Sequence, residues 1–157
     1  MTLDKIIYSV LNPKNFKIKT FEPFSNLSLK FVKDFSNELR KNKNFRKYPN
    51  LIYLLFWCNN QIKFKEKKQE EFLRLGRGLT FHVCPANVPT NFIYSFFFGL
   101  LSGNSNVVKI PSKPFDEKKI ILDTISKLFK KKEYKVYKES NKFIEYFNNN
   151  EITKYIS

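Results

Sequence analysis

His82-Val83-Cys84-Pro85-Ala86-Asn87-Val88-Pro89, an apolar run, and then Gly103-Asn104-Ser105-Asn106-Val107-Val108-Lys109-Ile110-Pro111-Ser112-Lys113 decide the reading of this chain. The order is strand, tight polar turn, buried helix, second strand and a lysine at that strand's end. That is the layout of a nucleotide-binding βαβ unit. Leu79 to Val83 is a short β-rich run suited to a parallel strand buried on both faces. Pro85 and Pro89 bracket a loop, and Phe92, Ile93, Phe96, Phe97, Leu100 and Leu101 make a nearly all-apolar helix that Gly103-Asn104 closes. Asn106 to Ile110 is the second strand.

Upstream of this unit the spacing predicts helices. Ser25-Asn26 is a helix cap before the stripe Leu27, Phe31, Val32, Phe35 and Leu39, and a lysine-rich turn ends that helix near Asn42. Pro49 opens a second helix with Leu51, Leu54, Leu55, Cys58 and Ile62 on one face, widened by Phe56 and Trp57, so it should be largely buried. The run from Lys63 to Glu71 reads as a solvated helical extension. Downstream, Pro114 starts a helix bearing Ile120, Ile121, Ile125, Leu128 and Phe129 on one side and Lys118, Lys119 and Lys127 on the other. Tyr134 to Tyr137 alternates like a third strand, Asn141 to Phe147 reads as a short helix, and Ile152 to Ile156 as the start of a fourth strand. The resulting fold class is α/β, with amino-terminal helices over residues 1–75 and a partial Rossmann-like parallel sheet, the first half of a dinucleotide-binding domain, over residues 76–157.

Composition bounds the function. At 157 residues and 42% hydrophobic, with 17% aromatic, the chain can bury a core. A net charge of +15 invites a polyanion partner, but the excess is almost all lysine, accompanied by many Asn, Ile and Phe, as AT-rich coding produces. The aromatics fall in the apolar stripes rather than between the lysines, which argues against a nucleic-acid-binding module, the alternative the charge keeps open. Two cysteines, Cys58 and Cys84, form neither a CxxC pair nor a zinc pattern. No signal peptide is evident, and Phe92 to Leu101 is shorter than the ~20 residues that span a bilayer, so a soluble cytoplasmic protein without a membrane partner is expected.

Asn87 lies where open α/β sheets hold ligands, at the carboxyl end of a strand. Its amide either donates to a developing oxyanion or satisfies a turn. Lys109 stands at the next strand end, near a nucleotide's ribose or phosphate or simply in solvent. His82, the single histidine, reads as a buried neutral residue hydrogen-bonded to backbone rather than a general base. Cys84 has nothing nearby to activate it as a nucleophile.

Arg74 through Phe92 followed by Leu100 through Lys113, with support from Leu51 to Trp57, resembles the acyl-CoA reductase family of the LuxC type, the fatty-acyl reductases of the aldehyde dehydrogenase superfamily first associated with bacterial luminescence. The resemblance implies reduction of a fatty-acyl thioester, on CoA or a carrier protein, to an aldehyde by NADPH through an acyl-cysteine intermediate. It makes Asn87 the catalytic oxyanion donor, and Pro85, Lys109, Ser112 and Lys113 the cofactor-binding residues, with Lys109 on the adenosine ribose. Where the superfamily often carries a ribose-binding glutamate three residues after this lysine, the chain has Ser112, which with Lys113 suits the 2′-phosphate of NADP. The family's glycine-rich cofactor loop and nucleophilic cysteine are not among these residues. The chain is therefore expected to be an amino-terminal portion, silent alone and dependent on a complementary carboxy-terminal polypeptide, or else a non-catalytic partner subunit.

Overall fold

The computed structural model describes residues 16–64 and 74–145. Helix α1, Asn26–Arg40, begins where Ser25 accepts a hydrogen bond from the Ser28 backbone N–H at 3.2 Å, which satisfies one of the first turn's free donors. Its Phe31, Val32, Phe35 and Leu39 are fully buried. Helix α2, Pro49–Phe64, starts on a proline whose missing N–H costs nothing at that position, and buries Leu51, Leu54, Leu55 and Cys58. Phe56 does not join that face, being 67% exposed, because the core has room for one stripe of the helix and Phe56 falls outside it. Beyond Phe64 the expected charged extension lies outside the described residues.

Strand β1, Leu79–His82, leads through a loop to helix α3, Asn91–Leu101, strand β2, Ser105–Lys109, and helix α4, Asp116–Phe129. Gly103, at φ 81°, ends α3 in the left-handed conformation that glycine tolerates, and its own carbonyl accepts from the Phe21 N–H at 2.8 Å. The chain then departs from the expected order. Lys132–Tyr134 is a short 3-10 turn and Lys135–Ser140 is helix α5, where a strand is predicted, while Asn141–Ile144 is strand β3, where a helix is predicted. Tyr134 and Tyr137, three residues apart, are both fully buried with their rings 6.4 Å apart and stacked, each edge-on to Phe31. One helical turn brings such a pair to the same side, whereas a strand would point them to opposite faces. The predicted fourth strand lies outside the described residues.

The sheet is parallel in the order β1-β2-β3. Leu79 pairs with Ser105 and His82 with Val108, then Asn106 with Asn141 and Lys109 with Ile144. In this sheet β1 is an edge, and Leu79 and Val83 are 36% and 53% exposed, so the expectation of a strand buried on both faces does not hold. Residues 16–21 run past the amino ends of the strands, where the Ser105 hydroxyl donates to the Lys19 carbonyl at 2.8 Å and accepts from the Lys19 N–H at 2.7 Å. The main core is one cluster joining α1, α2, α3, α4 and α5 to Val108 of the sheet.

Candidate functional site

Parallel strands lie about 4.8 Å apart, so the register of β1 against β2 fixes what their carboxyl ends present together. With His82 opposite Val108, the loop of residues 83–90 leaves β1 level with Lys109 of β2. Pro85 and Asn87 are exposed in that loop, which turns back into α3 over buried Pro89 and Thr90. Lys109 is half-buried, and Ser112 and Lys113 are exposed in the turn that follows. All five predicted site residues therefore sit at the same end of two adjacent strands. Carboxylates also border this end, but each is engaged. Asp116 accepts from the Tyr48 hydroxyl at 2.9 Å, Glu117 from the Asn50 amide at 3.4 Å, and Glu145 from Lys118 at 3.0 Å. Lys118 also donates to the Pro111 carbonyl at 3.0 Å, and so fixes the turn carrying Ser112 and Lys113 to the end of β3.

Beneath the edge runs a polar chain that sequence reasoning did not anticipate. The Asn106 amide N–H groups donate to the Asn104 carbonyl at 2.9 Å and the Asn141 side-chain oxygen at 2.7 Å. That leaves the Asn106 oxygen to accept from His82 Nε2 at 2.8 Å, and His82 Nδ1 to accept from the Ser95 hydroxyl at 2.7 Å. Asn141 in turn donates to the Tyr137 carbonyl at 2.8 Å and to Ser140 at 3.1 Å, and Ser140 to the Val136 carbonyl at 2.9 Å. Every donor finds an acceptor when His82 is the neutral Nε2–H tautomer. Burial holds its pKa below the ordinary histidine value, with the Asn106 contact opposing in part. His82 is thus buried and neutral as expected, but its partners are side chains rather than backbone. Gly99 makes room for this chain, since a methyl group there would collide with the Asn106 oxygen and crowd His82 Nε2. The available signal was the pair Asn106 and Asn141 inside short apolar strands, where an amide is tolerated only with partners.

The two cysteines stand in different settings. Cys58 is fully buried in α2, and burial pushes its thiol well above the ordinary value, which suppresses the thiolate. Cys84 is half-buried in the loop after β1.

A family model, acyl-CoA reductase (LuxC), matches residues 60–139, and with half of its length covered the chain belongs to this family. Comparison with curated proteins and with solved structures gives no match. The matched segment spans β1, the 83–90 loop, α3, β2 and α4, so Pro85, Asn87, Lys109, Ser112 and Lys113 all lie inside it. Among the described residues no helix is long and apolar enough to cross a membrane.

Proposed function

We propose that this member of the LuxC acyl-CoA reductase family carries the nucleotide-facing part of a cytoplasmic, NADPH-dependent reductase that converts a fatty-acyl thioester to an aldehyde. The observation that carries this reading is the register of β1 against β2, which sets the loop bearing Asn87 and the strand end and turn bearing Lys109, Ser112 and Lys113 at the carboxyl end of two adjacent strands. NADPH, when bound, supplies the hydride. Lys109 would hold the ribose, Pro85 would lie against the cofactor, and Ser112 with Lys113 would receive the 2′-phosphate. The residues fit that group, because Ser112 and Lys113 lie exposed in the turn after β2 and supply a hydroxyl and a cation to meet a phosphate. The Asn87 amide N–H donates to the oxyanion that forms when a cysteine thiolate adds to the thioester carbonyl.

In this reading that thiolate comes from outside these two cysteines: Cys58 is fully buried, and Cys84 matches no nucleophile position of the family. The activity therefore depends on a complementary polypeptide stretch that provides the nucleophile and the rest of the cofactor site. The acyl donor is CoA or a carrier protein. Nucleic acid is not a partner in this reading. Tyr53, Phe56 and Phe98, the large exposed aromatics, lie on α2 and α3, and residues 49–62 and 91–101 contain no charged side chain to set beside them.

The test is titration of the chain with NADPH and NADH, alone and mixed with a cysteine-bearing polypeptide encoded beside it, while aldehyde formation from an acyl-CoA is followed. NADPH should bind in preference to NADH, and aldehyde should form only in the mixture. Replacing Ser112 and Lys113 together by glutamate should weaken NADPH binding about tenfold or more relative to NADH. Aldehyde production by the isolated chain, or indifference of the NADPH affinity to the double replacement, overturns the assignment.

A further inference from the structure

Lys118 breaks two local rules. It stands in the first turn of α4, where the helix dipole favours the carboxylates of its neighbours Asp116 and Glu117 over a cation, and its side chain is only 15% exposed. The groups that hold it there belong to two other parts of the chain. Its Nζ donates to the Pro111 carbonyl, in the turn after β2, at 3.0 Å and to the Glu145 carboxylate, just past the end of β3, also at 3.0 Å. Lys109 is the last residue of β2 in register with β3, opposite Ile144, and one further backbone bond runs from the Ile110 N–H to the Ile144 carbonyl at 2.8 Å. Lys118 therefore ties the two strand ends together beyond the point where the backbone ladder stops.

The consequence falls on the peptide between Pro111 and Ser112. That peptide is trans, so its N–H points opposite to its carbonyl. With the carbonyl drawn to Lys118, the Ser112 N–H is turned away from that ammonium, and the orientation of the exposed Ser112-Lys113 pair is set from one side. We propose that Lys118 is a positioning residue for cofactor selection: it presets the 111–113 turn so that Ser112 and Lys113 meet the 2′-phosphate of NADPH without first being ordered. The inference rests on the cofactor reading above and adds to it a residue that acts through the turn rather than on the cofactor. Only the 2′-phosphate engages that turn, so loss of Lys118 is felt by NADPH and not by NADH.

Titration of the whole chain with NADPH and with NADH tests it. Lys118→Met, and Lys118→Gln as a polar counterpart, should each weaken NADPH binding about five- to tenfold while NADH binds as before, the latter also showing that the fold survives. Lys118→Arg, able to donate to both oxygens, should restore most of the preference. In a chain already carrying Ser112→Ala and Lys113→Ala, Lys118→Met should cause no further loss, because nothing is left to position. A preference for NADPH that survives Lys118→Met, an equal loss for both nucleotides, no rescue by arginine, or a further loss in the doubly substituted chain would each overturn the positioning role while the cofactor reading stands. Absence of any NADPH preference in the unsubstituted chain would overturn the cofactor reading, and this inference with it.

Discussion

At the scale of single residues, the buried chain from Ser95 through His82, Asn106 and Asn141 to Ser140 is the most specific feature of the structure. Asn106 sits at its centre with three partner groups and no solvent exposure, so truncation strands several polar groups at once. Asn106→Ala should cost about 2–4 kcal/mol of unfolding free energy, read by urea denaturation, and a loss under ~1 kcal/mol would show that the chain does not act as a unit. His82 makes stability depend on pH. The unfolded chain takes up this proton near pH 6.5, the ordinary histidine value, while burial makes the folded chain resist it. The unfolded state therefore binds more protons as the pH drops, and the contribution present above 6.5 is lost progressively below it. Between pH 7 and pH 5 the denaturation midpoint should fall, and His82→Asn should flatten that slope; an unchanged slope in the variant would place the titration elsewhere. Much of this residue chemistry was legible beforehand. An isolated histidine in an apolar strand announces a buried neutral ring. Its partners were not legible, because Asn106 meets His82 and Asn141 only when three strands are brought side by side.

At the scale of elements, α1 shows local and global signals in agreement. Its cap, its stripe and its end were all readable, because the Ser25 side chain acts within one turn and Phe31, Val32, Phe35 and Leu39 repeat at helical spacing. Phe31 is the hub of the aromatic packing, with ring centroids 6.3 Å from Phe96, 5.8 Å from Phe129, 4.9 Å from Tyr134 and 5.6 Å from Tyr137. Phe31→Ala should therefore destabilise the fold by about 3–5 kcal/mol in thermal or chemical unfolding, at the upper end for a core truncation, since it loosens α1 from α3, α4 and α5 together. The same hub explains why residues 134–137 are misread as a strand. Tyr, Lys, Val, Tyr alternates and favours β structure locally, but burying both tyrosines against Phe31 requires one helical turn. Once that turn is helical, Asn141 to Ile144 is free to extend alongside β2.

At the scale of the whole molecule, the helices gather beside a three-stranded parallel sheet in which β1 is an edge among the described residues, with the candidate site at the carboxyl ends of β1 and β2. Asn87→Ala in the assembled reductase should lower kcat about 10²–10³-fold with little change in KM, the pattern of a donor used in the transition state; a change confined to KM would assign Asn87 to the turn instead. The sequence by itself determined the βαβ unit, the two amino-terminal helices and the grouping of Asn87, Lys109, Ser112 and Lys113, because periodicity, caps and strand ends are encoded within a few neighbouring residues. Only the tertiary structure decided that β1 is an edge, that residues 135–140 coil and 141–144 extend, and that two asparagines and a histidine join into one hydrogen-bonded chain. Those outcomes depend on burial and pairing between residues far apart along the polypeptide, whose energies no local window contains.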